Sequence, residues 1–218
     1  MIIIRIIVLF LFLMWVEYYP KLNQFSSDTK FNFYRSLMCM FFAFYSFDNS
    51  INNLISGYIE PFTFKFDGFT DISKWFVAYL ILDVGKMAWM KNTRWDLYVH
   101  HIWCLASYTI AFLYDKIGFF HSFVLINEAI SIVSGIDSMY MEEKQLDKSK
   151  QCKVYRKNII KYLRLPVWII TLLMTLHHTH DIPDVMFWNG LITSCLMIWL
   201  DRYWEKKCDK IIDREKLK

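Results

Sequence analysis

The chain has 218 residues, of which 56% are hydrophobic and 19% aromatic, with six Gly, four Pro and a formal net charge of only +4. The length admits one domain or at most two, and so small a charge argues against a nucleic-acid binder. Apolar runs near the ~20 residues needed to cross a ~30 Å hydrocarbon core recur along the sequence, so the expected solvent is lipid and the expected class all-α, a polytopic bundle of transmembrane helices.

In chain order the expected spans are residues 2–19, 31–47, 72–90, 97–114, 118–136, 163–176 and 185–204. The first carries a charge, Arg5, but no small-residue cleavage site follows it before Pro20, so it reads as a retained span rather than a signal peptide. If that run does not cross, six spans remain. The second and sixth are the shortest, and the sixth has Pro166 in its first turn, where a helix tolerates proline. The five cysteines, Cys39, Cys104, Cys152, Cys195 and Cys208, are odd in number and lie mostly in spans or basic segments, so they read as free thiols.

Counting Arg164 and Arg202 at the mouths of their spans, 19 of the 25 Lys and Arg residues fall in the connections after spans one, three and five and in the C-terminal tail. Arg5, Lys65, Lys74 and Lys116 fall on the other side. The excess predicts a cytosolic tail, with Arg5 as the dissenting charge. The basic stretches 144–164 and 202–218 are interleaved with acids such as Glu142, Asp147, Glu205 and Asp209, which suits solvated cytosolic segments. Contact with anionic lipid headgroups is the alternative.

The dipeptide His100-His101 lies early in the fourth span, and ionisable groups inside a span usually mark a site. At ~1.5 Å rise per residue, Asp83 in the preceding span and Glu128 in the following one reach a similar depth, with Arg164 entering at the cytosolic end of span six. These residues are expected to line one lipid-sized cavity open to the cytosolic leaflet, with one imidazole facing it squarely. The bland readings are an i, i+3 pair between Asp83 and Lys86, a structural hydrogen bond for Glu128, and snorkelling for Arg164. A rival constellation, His177, His178, His180 and Asp181, suggests a metal ligand set. Only six histidines are present and neither an HxxxH nor an HxxHH box, so a solvated turn before Pro183 is expected, with no metal and no resident cofactor.

At these residues the sequence resembles the TLC domain family. The resemblance rests on Tyr79-Leu80-Ile81-Leu82-Asp83, a basic loop, Trp95-Asp96-Leu97-Tyr98-Val99-His100-His101, Ser107-Tyr108, Asn127-Glu128 and Arg164. It covers residues 34–204, leaving 1–33 as an N-terminal span and connection and 205–218 as a basic cytosolic tail. Ceramide synthases of that family transfer an acyl group from acyl-coenzyme A to a sphingoid amine with the histidine pair and two acids in the next span. Here Glu128 matches the first acid, whereas the second position is Ser131. The resemblance is therefore closer to the small members associated with membrane lipid composition or transport. It implies lipid binding with Asn127, Ser131 and Arg164 around the lipid and His100, His101, Glu128 and Asp83 as the reactive set. If the chain is an enzyme, acyl-coenzyme A is the co-substrate, a histidine is the general base, and Glu128 or Asp83 orients it. The family implies the endoplasmic reticulum, and Arg214 and Lys216 resemble a dibasic retrieval signal, although a basic tail also follows from topology alone.

Overall fold

Residues 2–62, 68–116 and 118–214 are described by a computed structural model, and every regular element among them is helical. The long helices are α1 (Ile2–Tyr18), α2 (Ser27–Asn52), α4 (Phe69–Trp89), α5 (Trp95–Leu113) and α10 (Asp184–Arg214), with a short α3 (Leu54–Ile59) after α2. Two further helices are compound. The first comprises α6 (Phe119–Leu125), a 3-10 turn (Ile126–Glu128) and α7 (Ala129–Glu142). The second comprises α8 (Leu146–Ile159), a π turn (Ile160–Arg164) and α9 (Leu165–His177). These two are long and apolar enough to cross a membrane.

Each expected apolar run lies in a helix, but two boundaries differ for identifiable reasons. The second run extends to 26 residues because Ser26 caps it, accepting from the Thr29 backbone N–H. The sixth begins not near residue 163 but at Leu146, which puts Pro166 inside a continuous helix. Proline lacks an N–H and its ring crowds the carbonyl four residues back, here Tyr162. That carbonyl lies in the π turn, whose wider winding accommodates the proline without ending the helix. The helix α10 also runs through residue 205, so the basic tail continues the last helix as far as the description reaches. Residues 215–218, and Lys216 with them, lie outside it, as does Lys65.

Contacts fix the topology. Helix α2 packs on α6–α7, which packs on α8–α9, then on α10, α5 and α4, and α4 returns to α2 with α1 against the outer seam. Neighbours in this ring run antiparallel, whereas α1 runs parallel to α4 because Arg5 pairs with Asp71 at the start of both. The Arg5 guanidinium also lies 5.2 Å from the Trp75 ring centroid. The charge that dissents from the sequence asymmetry is thus buried against an acid.

Polarity is distributed inside out relative to a water-soluble bundle. Ile4, Leu11, Phe44, Trp89, Leu113, Leu173 and Trp199 are exposed, while Asp83, His100, His101, Glu128 and Arg164 are buried. The tightest seam joins α2 and α7. Ser36 donates to the carbonyl of Ser131, at 2.8 Å, and Asn32 to Ser138 Oγ, at 2.9 Å. A Cβ at Gly135 would sit 1.9 Å from Ser36 Oγ and 2.5 Å from the Asn32 carbonyl oxygen. Small residues on the facing helices allow this approach. Gly135→Leu is therefore expected to cost roughly 1–3 kcal/mol by overpacking. Thermal unfolding in detergent measures it, and a midpoint unchanged from wild type would mean that the seam is looser than described.

Candidate functional site

Inside the ring the charged side chains are nested in tiers. Asp83 is wholly buried and is gripped by Arg35, whose Nε and Nη2 donate to its two oxygens at 2.6 and 2.7 Å. His101 Nδ1 lies 2.7 Å from Asp83 Oδ2. One carboxylate from α4 thus ties down a guanidinium from α2 and an imidazole from α5. The expected alternative, Asp83 paired with Lys86 on its own helix face, gives way to this cross-helix arrangement. A planar guanidinium matches a carboxylate with two parallel bonds, which a lysine cannot do.

One residue earlier, His100 turns to the other wall. Its Nε2 is 3.7 Å from Glu128 Oε1, while Nδ1 faces Met197 Sδ at 3.2 Å and Cys104 Sγ at 3.8 Å. Glu128 is held from behind by Cys39, which donates to Oε2 at 3.2 Å, and Cys39 Sγ lies 3.5 Å from the Tyr79 hydroxyl. The two imidazole centroids are 5.1 Å apart. Successive helix positions point about 100° apart, yet both rings remain inward because α5 faces α4 on one side and the closed ring on the other. Both line the cavity described below, rather than one alone.

Arg164 does not snorkel. It is fully buried, donating from Nε to Asp201 at 2.8 Å and from Nη1 to the Asn127 carbonyl, with its guanidinium 5.4 Å from the Trp204 ring centroid. The π turn ending at Arg164 directs the side chain inward, where Asp201 of α10 meets it. Asn127 is buried too, and neither its side-chain oxygen nor its side-chain nitrogen has a protein partner.

A cavity of about 200 Å³ opens below the histidines. His100, His101 and Ser131 line it, along with Tyr79 and Trp204. Asp83, Glu128, Asn127 and Arg164 do not line it. The acids stand behind the imidazoles, and Arg164 stands behind Trp204. Arg35 flanks the histidines, and toward the mouth the walls become cationic with Arg94, Lys153 and Arg156. Arg94 is bidentate to Asp96, at 2.9 and 2.6 Å, and Asp96 also accepts from Trp204 Nε1 at 2.7 Å. Lys153 and Ser149 both bond Asp137.

Sequence reasoning missed Arg35, Cys39, Asp137 and Asp201. The signal that could have found the charged ones is the rule applied to the histidines: an ionisable residue within an apolar run needs a partner. At the far end of the bundle, His178 directs Nδ1 to Asp181, at 3.2 Å, and Nε2 to the Tyr58 carbonyl, at 3.0 Å. Both ring nitrogens thus have protein partners, and among the described residues no three or more His, Cys, Asp or Glu are grouped to hold a metal. Compared with known proteins, the chain matches no family model, no curated protein and no solved structure.

Removing one partner of a buried ion pair strands the other, at a cost of roughly 3–5 kcal/mol, whereas replacing both with apolar side chains is often near neutral. Arg35→Met is accordingly expected to destabilise the chain strongly, and Arg35→Met/Asp83→Leu to recover most of the loss. Thermal unfolding of the purified variants tests this. A single variant as stable as wild type would show that Asp83 does not depend on Arg35.

Proposed function

We propose that the chain is a multi-pass membrane protein of the TLC-domain type, close to that family's small lipid-handling members, and that it binds a membrane lipid at the histidine–carboxylate site. In this reading it has seven spans, a cytosolic C-terminus and residence in the endoplasmic reticulum. The observation that carries the proposal is the pair of contacts His101–Asp83 and His100–Glu128, set at the head of a polar cavity inside a bundle with an apolar exterior. Buried charge of this kind is costly in an apolar surrounding and is usually retained for a ligand or a pathway. The cavity mouth carries Arg94 at the start of α5 and Lys153 and Arg156 on α8, the side on which basic residues accumulate. The positive-inside tendency makes that side cytosolic.

A second reading, an acyl-coenzyme A-dependent N-acyltransferase of ceramide synthase type, draws support from one observation. His100 has Glu128 3.7 Å from one ring nitrogen and lines the same open space as His101, so an acid stands beside a histidine that faces the cavity, the pairing a general base uses. Against it, the position of the second family acid is Ser131, and a cavity of about 200 Å³ with polar walls suits a headgroup better than an acyl chain.

Two measurements test the proposal. Mass spectrometry of lipid carried through purification is expected to find one class enriched with wild type and depleted with His100→Gln/His101→Gln, while circular dichroism of the variant stays helical. Equal enrichment in both proteins would remove the histidines from lipid binding. For topology, cysteines placed at Asp181 and at Lys206, one on each expected side, are expected to react from opposite faces of sealed vesicles. Reaction from the same face would eliminate the seventh span.

A further inference from the structure

The cavity walls are over-supplied with cations. At its mouth Asp96 is shared by Arg94 and Lys207, with Lys207 Nζ 3.5 Å away, and Asp137 is shared by Lys153 and Arg156. Two carboxylates therefore serve four basic side chains. Arg156 has the poorest share. Its Nη1 is 3.9 Å from Asp137 Oδ2, beyond hydrogen-bond distance, and its Nε is buried without a protein partner. Deeper in, the charge of Arg35 is already matched by Asp83. Beside these cations α7 and α2 add polar groups: the Ser134 and Ser138 hydroxyls donate to the carbonyls of Ile130 and Ser134, and the Asn32 amide, which donates one N–H to Ser138 Oγ, has a second to offer.

We propose that this vestibule binds the phosphate of an anionic membrane-lipid headgroup, with Arg156 and Arg94 as its principal cationic contacts. The inference rests on the lipid-binding reading above and names the headgroup class. Several cationic donors, one of which, Arg156, has no well-made partner, suit an anion rich in acceptor oxygens such as a phosphate, which takes more than one charge-assisted bond. The lining agrees. Most side chains around the cavity are polar or charged, which suits a headgroup and leaves the acyl chains outside it. Those chains would lie along the exposed apolar helix faces, in the hydrocarbon. The location agrees as well, because the cytosolic leaflet carries the anionic lipids that juxtamembrane basic residues attract.

The test uses the full chain purified in a neutral detergent and phosphatidic acid carrying a fluorescent tail as the probe. Unlabelled phosphatidic acid, diacylglycerol with the same chains, inorganic phosphate and coenzyme A serve as competitors. Phosphatidic acid is expected to compete at least tenfold better than each of the others. Arg156→Gln and, separately, Arg94→Gln are each expected to weaken probe binding about tenfold, as loss of a charge-assisted contact implies. Arg202→Gln, which removes an exposed charge outside the cavity, is expected to leave binding unchanged. If diacylglycerol competes as well as phosphatidic acid, the headgroup proposal fails while lipid binding stands. If inorganic phosphate or coenzyme A competes as well, the anion comes from a soluble ligand and the lipid assignment fails. If the probe does not bind wild type at all, this proposal falls, and the lipid-binding reading falls with it only if no lipid class is carried through purification either.

Discussion

Everything inside the bundle depends on keeping Asp83 charged and satisfied in an apolar surrounding. A carboxylate with no access to solvent loses several kcal/mol of hydration, and only a well-made set of donors offsets that loss. Arg35 provides two such donors from α2, and His101 approaches the same group from α5. The acid therefore fixes three helices at once, at the point where the ring closes between α4 and α2. Above this point the seam is aromatic, with Phe42, Phe76 and Tyr79 packed against one another. Below it lies the cavity. Asp83 marks the boundary between a part of the bundle that is only packed and a part that is polar enough to hold a ligand.

Related pairings recur around the ring. Glu128 is shared by Cys39 and His100, Asp201 of α10 meets Arg164, Asp137 of α7 meets Lys153 of α8, and Asp96 of α5 meets Lys207 of α10. Buried ion pairs contribute little net stability when compared with well-packed apolar side chains. In a bundle with an apolar exterior, apolar burial does not discriminate strongly between helix neighbours either. The paired charges are a register device here, because sliding α10 by one turn against α9 would separate Arg164 from Asp201. The close seam at Gly135 acts in the same direction by steric means.

Much of this was legible in the sequence because apolar periods and charge asymmetry are long-range, additive signals. The helical class and the seven apolar runs followed from run length alone. The shared depth of Asp83, His100, His101 and Glu128 followed from helix rise. Other features depended on local competition that length cannot express. Pro166 looked like a helix start, yet the π turn before it let the helix continue back to Leu146. Arg164 looked interfacial because a long side chain at the end of an apolar run usually snorkels, and only the position of Asp201 on α10 draws it inward. Arg35 was visible as a charge within a run, but nothing near it in sequence named Asp83, 48 residues away, as its partner. Ring closure determined those partners, and no single segment encodes ring closure.

The two histidines, though adjacent, are held to different degrees, and this bears on what the site can do. The acid beside His101 is already locked by a bidentate guanidinium, and His101 Nδ1 lies 2.7 Å from it without making an aligned hydrogen bond, so His101 is held by proximity to an immobile carboxylate. His100 sits 3.7 Å from Glu128, beyond an ordinary hydrogen bond, and its other nitrogen faces two sulfur atoms, which are weak partners. A polar ligand entering the cavity would give His100 a better partner than any it has, whereas engaging His101 would mean competing with Asp83. The site is thus one rigid imidazole that shapes the cavity roof and one loosely held imidazole able to answer a ligand. Such an arrangement suits recognition of a headgroup directly, and it would suit chemistry only if a ligand also brought Glu128 and His100 into closer contact.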